Sequence, residues 1–150
     1  MPFTAQAELT IAAPVAAVFE PFIDFRTWGQ WMAPVLAPVR GPERPLRAGD
    51  RLFVRINGAI PSALTVDRVE PQSEVCWSGG IPGLLFARHS FFFEPAGAQA
   101  TLIRSVEPWT GLLTSLGGVS ERLKRAAEQG GRRQLAGFER WFLARGRTPA

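Results

Sequence analysis

Tyrosine is absent from the 150 residues, cysteine and histidine occur once each, and lysine is a single residue, Lys124, among seventeen cations. The lone Cys76 excludes an internal disulfide, and with His89 as the one histidine a Cys/His zinc site is excluded as well. Cys76 falls between Val75 and Trp77 in a strand-like run, where a free thiol behaves as a small core residue. No glycine loop of the phosphate-cradling kind is present, so neither a metal nor a cofactor is expected. No apolar run approaches the roughly 20 residues that a membrane span needs. The first residues carry Glu8 inside their apolar stretch and have no basic lead, which reads as a strand and not as a signal peptide. A cytoplasmic location is the expectation. With no tyrosine, the aromatic content is phenylalanine and tryptophan, almost purely apolar apart from the indole N–H groups.

The net charge is +4. Arginine stands where lysine usually would along the whole chain, a bias that a GC-rich genome produces, so the charge says little about partners. No recognition-helix signature, RNP-like aromatic motif or zinc spacing accompanies it, and no nucleic-acid partner is expected. The arginines of the last third read as a solvated helix face. What the chain does have is a 46% apolar content, enough for one core and against disorder, in a length that suits a single domain over residues 1–150.

Alternation of Leu9 and Ile11 against Glu8 and Thr10 predicts a half-buried strand over Phe3 to Ile11. Pro14 suits the first turn of a helix carrying Val15, Val18, Phe19 and Phe22, which Pro21 and Asp24 cut short. A second short helix is predicted over Arg26 to Met32, with Trp28 and Trp31 on one face. Pro34, Pro38, Pro42 and Pro45 punctuate a loop-rich segment with one edge strand near Val35 to Arg40. Strands follow after Gly49-Asp50 and after the Asn57-Gly58 hairpin signal. Further strands are expected over Ala63 to Glu70, Glu74 to Ser78, Leu84 to Glu94 and Thr101 to Trp109, with Gly79 to Gly83 as a flexible connection. From about Ser115 to Arg145 the period becomes helical, with Leu116, Val119, Leu123, Ala127, Leu135, Phe138 and Phe142 near one stripe. Gly130-Gly131 interrupts that helix at about 2 kcal/mol relative to alanine, and calls for a bend or for a bare helix surface. Short turns imply an antiparallel sheet, and a striped helix must bury its stripe against it.

The order of elements joins a set of residues. These are Ile11-Ala12-Ala13-Pro14 leading into Val18-Phe19, Asp24 followed by Trp28 and Trp31-Met32-Ala33-Pro34, Gly49-Asp50 and Val69-Glu70-Pro71. Trp77, Arg88-His89-Ser90-Phe91, Glu94-Pro95 and Thr101 with Glu107, Trp109 and Gly111 complete the set. In order and spacing, over nearly the whole chain, they resemble the START-like (helix-grip) superfamily and within it the polyketide cyclase/dehydrase-like proteins. The resemblance implies an α+β fold: a curved antiparallel sheet of about seven strands gripping a long C-terminal helix, with two short helices after the first strand. It implies an internal cavity for lipids, polyketides or other hydrophobic small molecules. It fixes no reaction. Expected around that cavity are Trp28, Trp31, Val54, Trp77, His89, Phe91, Ile103, Ser105, Glu107, Trp109, Leu123 and Phe138.

The polar members come from one hairpin. His89, Phe91 and Phe93 share a face, because the alternate set Arg88, Ser90, Phe92 and Glu94 carries two charges and belongs outside. A turn centred on Gly97 would pair Phe93 with Thr101, Phe91 with Ile103 and His89 with Ser105, with Glu107 one diagonal step from His89. On one reading His89 is a general acid or base and Glu107 sets its tautomer, as a cyclase or dehydratase requires. On the other the two form a structural pair. Trp28 and Trp31 either roof the cavity or belong to the core, and Trp77 and Trp109 raise the same choice. Leu84-Leu85-Phe86 is either a gate or a strand start. Phe92 on the outer face suggests a partner surface or a homodimer contact, unless the register is off by one. Three functions remain open: binding of a hydrophobic small molecule, a cyclase or dehydratase using His89 and Glu107, and a protein-interaction module.

Overall fold

The structure is a computed structural model and describes residues 2–33 and 35–146. Pro34, expected to punctuate the loop after the second helix, lies outside the described residues. Strand β1 (Phe3–Ile11) leads through Pro14 into helix α1 (Val15–Phe22), whose Val18, Phe19 and Phe22 are buried. Pro21 sits in the last turn of α1, so the helix ends one residue beyond it. The expected helix over Arg26 to Met32 is split. The Asp24 carboxylate accepts the Arg26 backbone N–H at 3.1 Å and opens a 3₁₀ turn (Phe25–Thr27), which runs into the single-turn helix α2 (Trp28–Trp31).

The remaining strands are β2 (Leu36–Arg40), β3 (Arg51–Ile56), β4 (Ile60–Glu70), β5 (Glu74–Ile81), β6 (Leu85–Pro95) and β7 (Thr101–Thr110). They form one seven-stranded sheet in the order β1-β7-β6-β5-β4-β3-β2. Every neighbouring pair is antiparallel. Asn57 and Gly58 turn β3 into β4 with φ of 53° and 73°, the left-handed conformations that an Asn-Gly hairpin supplies.

The stretch expected as a flexible connection after Ser78 is largely strand. β5 continues to Ile81, which pairs with Leu85. Gly80 makes this feasible: its φ is 104°, and a Cβ there would collide with the Leu85 carbonyl. The hairpin register also differs from expectation. Phe91 lies opposite Ser105, Phe93 opposite Ile103 and Pro95 opposite Thr101. The slip from the expected pairing is an even number of residues, so each side chain keeps its face.

Helix α3 (Gly117–Gly146) runs unbroken through Gly130-Gly131. Its C-terminal half buries Leu135 and Phe138, and Phe138 meets Phe22 at 5.1 Å and Trp31 at 4.9 Å between ring centroids. Phe22 is the hub of this packing, also touching Phe91 at 4.9 Å and Phe93 at 5.1 Å. The N-terminal half behaves differently. Leu116, just before the helix, and Val119 in its first turn were expected on the buried stripe, yet they are 48% and 42% exposed. Leu123 and Ala127, further along the same stripe, line a void between the helix and the sheet. No helix among the described residues is long and apolar enough to cross a membrane.

Candidate functional site

The void is a cavity of about 320 Å³. From α3 it is walled by Leu123, Ala126, Ala127, Gly130, Gly131 and Gln134, and from the sheet by Leu64, Trp77, Gly79, Leu85, Ala87, His89, Glu107 and Trp109. Ile56, Asn57 and Ile60 of the β3–β4 hairpin, with Val35 and Leu36, close one side. The two consecutive glycines of α3 belong to this wall. A Cβ on Gly131 would lie 3.2 Å from Ser105 Oγ, tighter than an ordinary contact, and at an ordinary 3.5 Å from the Ala7 side chain. The helix therefore approaches β7 so closely that any side chain at 131 would have to displace the Ser105 hydroxyl by a few tenths of an ångström, and that close approach offsets the poor helix propensity of glycine.

The floor is polar and comes from β6 and β7. Ala87 lies opposite Trp109 and Phe91 opposite Ser105, which brings His89 across from Glu107. His89 Nε2 lies 2.6 Å from Ser105 Oγ, and its Nδ1 lies 3.2 Å from Glu107 Oε2. The imidazole is stacked on Phe91 at 4.2 Å and flanked by Trp77 at 5.7 Å, and is 4% exposed. Both ring nitrogens thus point at protein partners. The imidazole is a partner of the buried Ser105 hydroxyl. Nε2 accepts from the Ser105 hydroxyl when the ring is neutral and donates to it when the ring is protonated, and in both cases an Nδ1–H is aimed at the carboxylate. The relay runs Ser105 to His89 to Glu107, with its negative end at the cavity.

Burial on its own would raise the Glu107 pKa. The charge and hydrogen bonding of His89 outweigh it, and with a contribution from the Trp109 indole they hold the carboxyl below its ordinary value of 4.5. Glu107 is therefore ionised at neutral pH. Among the described residues Gln134 Oε1 has no donor, and the Trp109 indole N–H reaches no acceptor in strict hydrogen-bond geometry although it is close enough to Glu107 to help lower its pKa. Buried polar atoms left this way cost about 1–3 kcal/mol each, unless a guest or water meets them. Among the described residues no group of three His, Cys, Asp or Glu side chains converges on a metal position.

Residues 2–141 match the family model described as polyketide cyclase/dehydrase and lipid transport. The chain belongs to that family. Solved structures agree on the fold. The chain is similar to Zhui aromatase/cyclase from Streptomyces sp. R1128, with a TM-score of 0.75 at 16% identity over 99% of this chain and 98% of that one. A START superfamily protein from Mycobacterium smegmatis gives 0.70 at 17% identity, over 94% and 97% of the two chains. A point mutant of norcoclaurine synthase from Thalictrum flavum, in complex with a transition-state analogue, gives 0.72 at 10%, over 97% of each. No curated protein matches the sequence.

As a member of this polyketide cyclase/dehydrase and lipid transport family, the chain distributes its aromatic residues unevenly. Of the residues expected around a cavity, Trp77, His89, Glu107, Trp109 and Leu123 line it. Ser105 sits behind His89 under Gly131. Trp28, Trp31, Val54, Phe91, Ile103 and Phe138 lie instead in the packed half of the interior. The indoles of Trp28 and Trp31 are already used, donating to the Phe22 carbonyl at 3.0 Å and to Thr27 Oγ1 at 2.9 Å. Phe92 does point outward, where it is half-buried beneath the Arg104 guanidinium. Leu85 begins β6, and the turn before it is fastened by the Leu112 N–H to the Gly83 carbonyl and the Leu113 N–H to the Leu84 carbonyl.

Sequence reasoning passed over Gln134 and the wall-forming role of Gly130 and Gly131. A signal existed: Leu123, Ala127, Gly130 and Gln134 recur at spacings of three and four along one helix face.

Proposed function

We propose that the chain binds a hydrophobic small molecule in the cavity between the N-terminal half of α3 and the sheet. The observation that carries this reading is a largely apolar hollow of about 320 Å³ with His89 and Glu107 at its floor. Small-molecule sites have this composition, largely apolar walls with a few converging polar groups. An engineered cavity of about 150 Å³ takes up benzene, so twice that volume suits a guest of two or three rings, or a short branched chain. The family description includes lipid transport, which is in keeping with a binding role. Native mass spectrometry of protein purified from its own host tests the reading. A co-purifying apolar compound, lost on mild denaturation, is the expected result. Protein that emerges bare and takes up no apolar probe afterwards overturns it.

A second reading, a cyclase or dehydratase, is favoured by the relay of Ser105, His89 and Glu107. Two proteins of similar fold are named as an aromatase/cyclase and a synthase. In this reading Glu107 is the acid/base group that meets the substrate. His89, with both nitrogens engaged, is the positioning residue that holds its charge and orientation. The protein takes up or returns a proton at Glu107, and the tryptophan walls keep water from the reacting carbon. Turnover in a Glu107→Gln variant falls by about two to four decades if this is right, while guest binding persists. Undiminished turnover excludes it.

A further inference from the structure

The outer face of the sheet, turned away from the cavity, divides into two halves that treat charge differently. Over β4 to β7 its arginines are matched to carboxylates: Arg68 to Glu70 and Glu74, Arg88 to Asp67, and Arg104 to Glu94. Phe92 belongs to that half, under an Arg104 whose charge is already met. Over β2 to β4 the matching stops. Arg51, Phe53 and Arg55 alternate with the buried Leu52 and Val54, so they share the outer face of β3. Arg40 of β2 lies opposite Phe53. All three arginines are exposed, and among the described residues none of them has a carboxylate within ion-pair distance. No Asp or Glu occurs in β2, in β3 or in β4 before Asp67. Asp50, next to Arg51 in the chain, is held by Arg44 at 2.9 Å.

These cations border an open groove of about 610 Å³, lined by Val39, Arg40, Phe53, Arg55, Pro61 and Ala63 among others. The pairing of β2 with β3 shifts between Pro38 and Arg40, and the bulge brings both Val39 and Arg40 to the groove. Val39 is 59% exposed there. The Arg40 guanidinium lies 4.4 Å from the centre of the Phe53 ring. Stacking of this kind fixes the plane of the guanidinium and leaves its N–H edge for a planar carboxylate. Unmatched positive charges around a partly apolar groove call for an anionic occupant. A second copy offering the same face would set arginine against arginine. Nucleic acid fits less well, because the one aromatic ring lining the groove carries Arg40 on its face and gives a base no platform to stack on. Apolar side chains between the arginines suit a polypeptide with both carboxylates and aliphatic groups.

We propose that the outer face of β2, β3 and β4 docks an acidic segment of another protein. Its carboxylates meet Arg40, Arg51 and Arg55, and an aliphatic side chain rests on Val39 and Phe53. This surface lies across the sheet from the cavity, so the proposal stands or falls independently of the guest.

Fluorescence anisotropy of the intact protein at low ionic strength tests it with three labelled probes. They are a peptide of Glu, Ser and Leu in equal parts, the same peptide with Gln for Glu, and a single-stranded oligonucleotide. The native chain is expected to bind the Glu peptide more tightly than the Gln peptide by about tenfold or more. The double variant Arg51→Gln, Arg55→Gln is expected to erase that preference. Val39→Ser, which alters no charge, is expected to weaken the Glu peptide severalfold. Circular dichroism reports the fold of each variant, and should the double variant fail to fold, Arg55→Gln decides in its place. Equal affinity of the native chain for the two peptides, or binding of neither, overturns the proposal. So does a Glu-peptide affinity unchanged in the arginine variant, which would place the binding on other cations of the chain. An oligonucleotide held more tightly than the Glu peptide, and released by the same variant, makes the partner a nucleic acid and overturns the protein reading.

Discussion

Gly131 of α3 and Ser105 of β7 approach so closely that a Cβ on the glycine would come within 3.2 Å of the serine hydroxyl oxygen. That hydroxyl is the far end of the relay through His89 to Glu107. A glycine in the middle of the terminal helix thus packs directly against the hydroxyl that meets the imidazole.

Replacing either of the two adjacent glycines separates helix propensity from packing. Gly130→Ala places its methyl at an ordinary 3.6 Å from Val35. It is expected to gain up to about 1 kcal/mol from helix propensity. Gly131→Ala gains the same propensity but pushes on Ser105, and is expected to lose about 1–3 kcal/mol through overpacking. Urea denaturation of both variants decides it. Equal stability of the two removes the role assigned to the close approach.

Loss of the imidazole affects binding and turnover differently. His89→Ala leaves the Ser105 hydroxyl and the Glu107 carboxylate without their shared partner, at an expected cost of about 1–3 kcal/mol in stability. A modest loss of guest affinity is expected alongside, read by titration with 2-naphthol. Abolished binding in a variant that remains folded by circular dichroism contradicts the placement of Glu107 as the group that meets the guest.

Acid should act through Glu107. Its carboxyl lies below the ordinary 4.5, after the rise due to burial is outweighed by His89 and by the Trp109 indole. A carboxyl with a lower pKa when folded than when unfolded adds stability at pH above the unfolded value. It gives that stability up as the pH falls through the folded one. The stability difference between the native chain and Glu107→Gln is thus expected to be flat from pH 7 to about 5 and to change only below the ordinary carboxylate value. A difference that already changes between pH 7 and 6 means that another group is titrating.

Filling the cavity should abolish binding without unfolding the chain. Ala127 lines the space from α3 and is only half-buried. Ala127→Phe projects a ring into the void, and the affinity for naphthalene is expected to fall by about tenfold or more while the melting temperature stays within a few degrees. Unchanged affinity would move the binding site elsewhere.

Cys76 provides a control on the fold. It is 3% exposed, and burial pushes its thiol above the ordinary 9.0. A thiol in that state is inert. Ellman's reagent is expected to label it only after denaturation, and rapid labelling at pH 8 would mean that β5 opens in the native state.

How much of this was legible follows from what each feature depends on. Alternation along β6 put His89, Phe91 and Phe93 on one face, and the same alternation along β7 aligned Ser105, Glu107 and Trp109. Neighbouring residues decide such patterns, and the pleat turns them directly into faces. Asn57-Gly58 marked its turn because few residues adopt its left-handed dihedrals. The family resemblance, carried by residues from Ile11 to Gly111, anticipated the seven-stranded sheet and the long helix. The hairpin register was less secure. A turn signal leaves pairings two residues apart nearly equivalent, and only contacts of β7 with β1 and α3 choose between them.

Residue order alone determined the elements, their buried faces and the presence of a single histidine and carboxylate on the same wall, since these follow from local periodicity. The hollow, the aromatic hub around Phe22 that fills the other half, the meeting of His89 with Glu107, and the fit of Gly131 against Ser105 were decided by the tertiary structure. Each depends on a distance between segments remote in the chain. The separation of a helix from a sheet is set by all the side chains between them at once, so no local pattern encodes it.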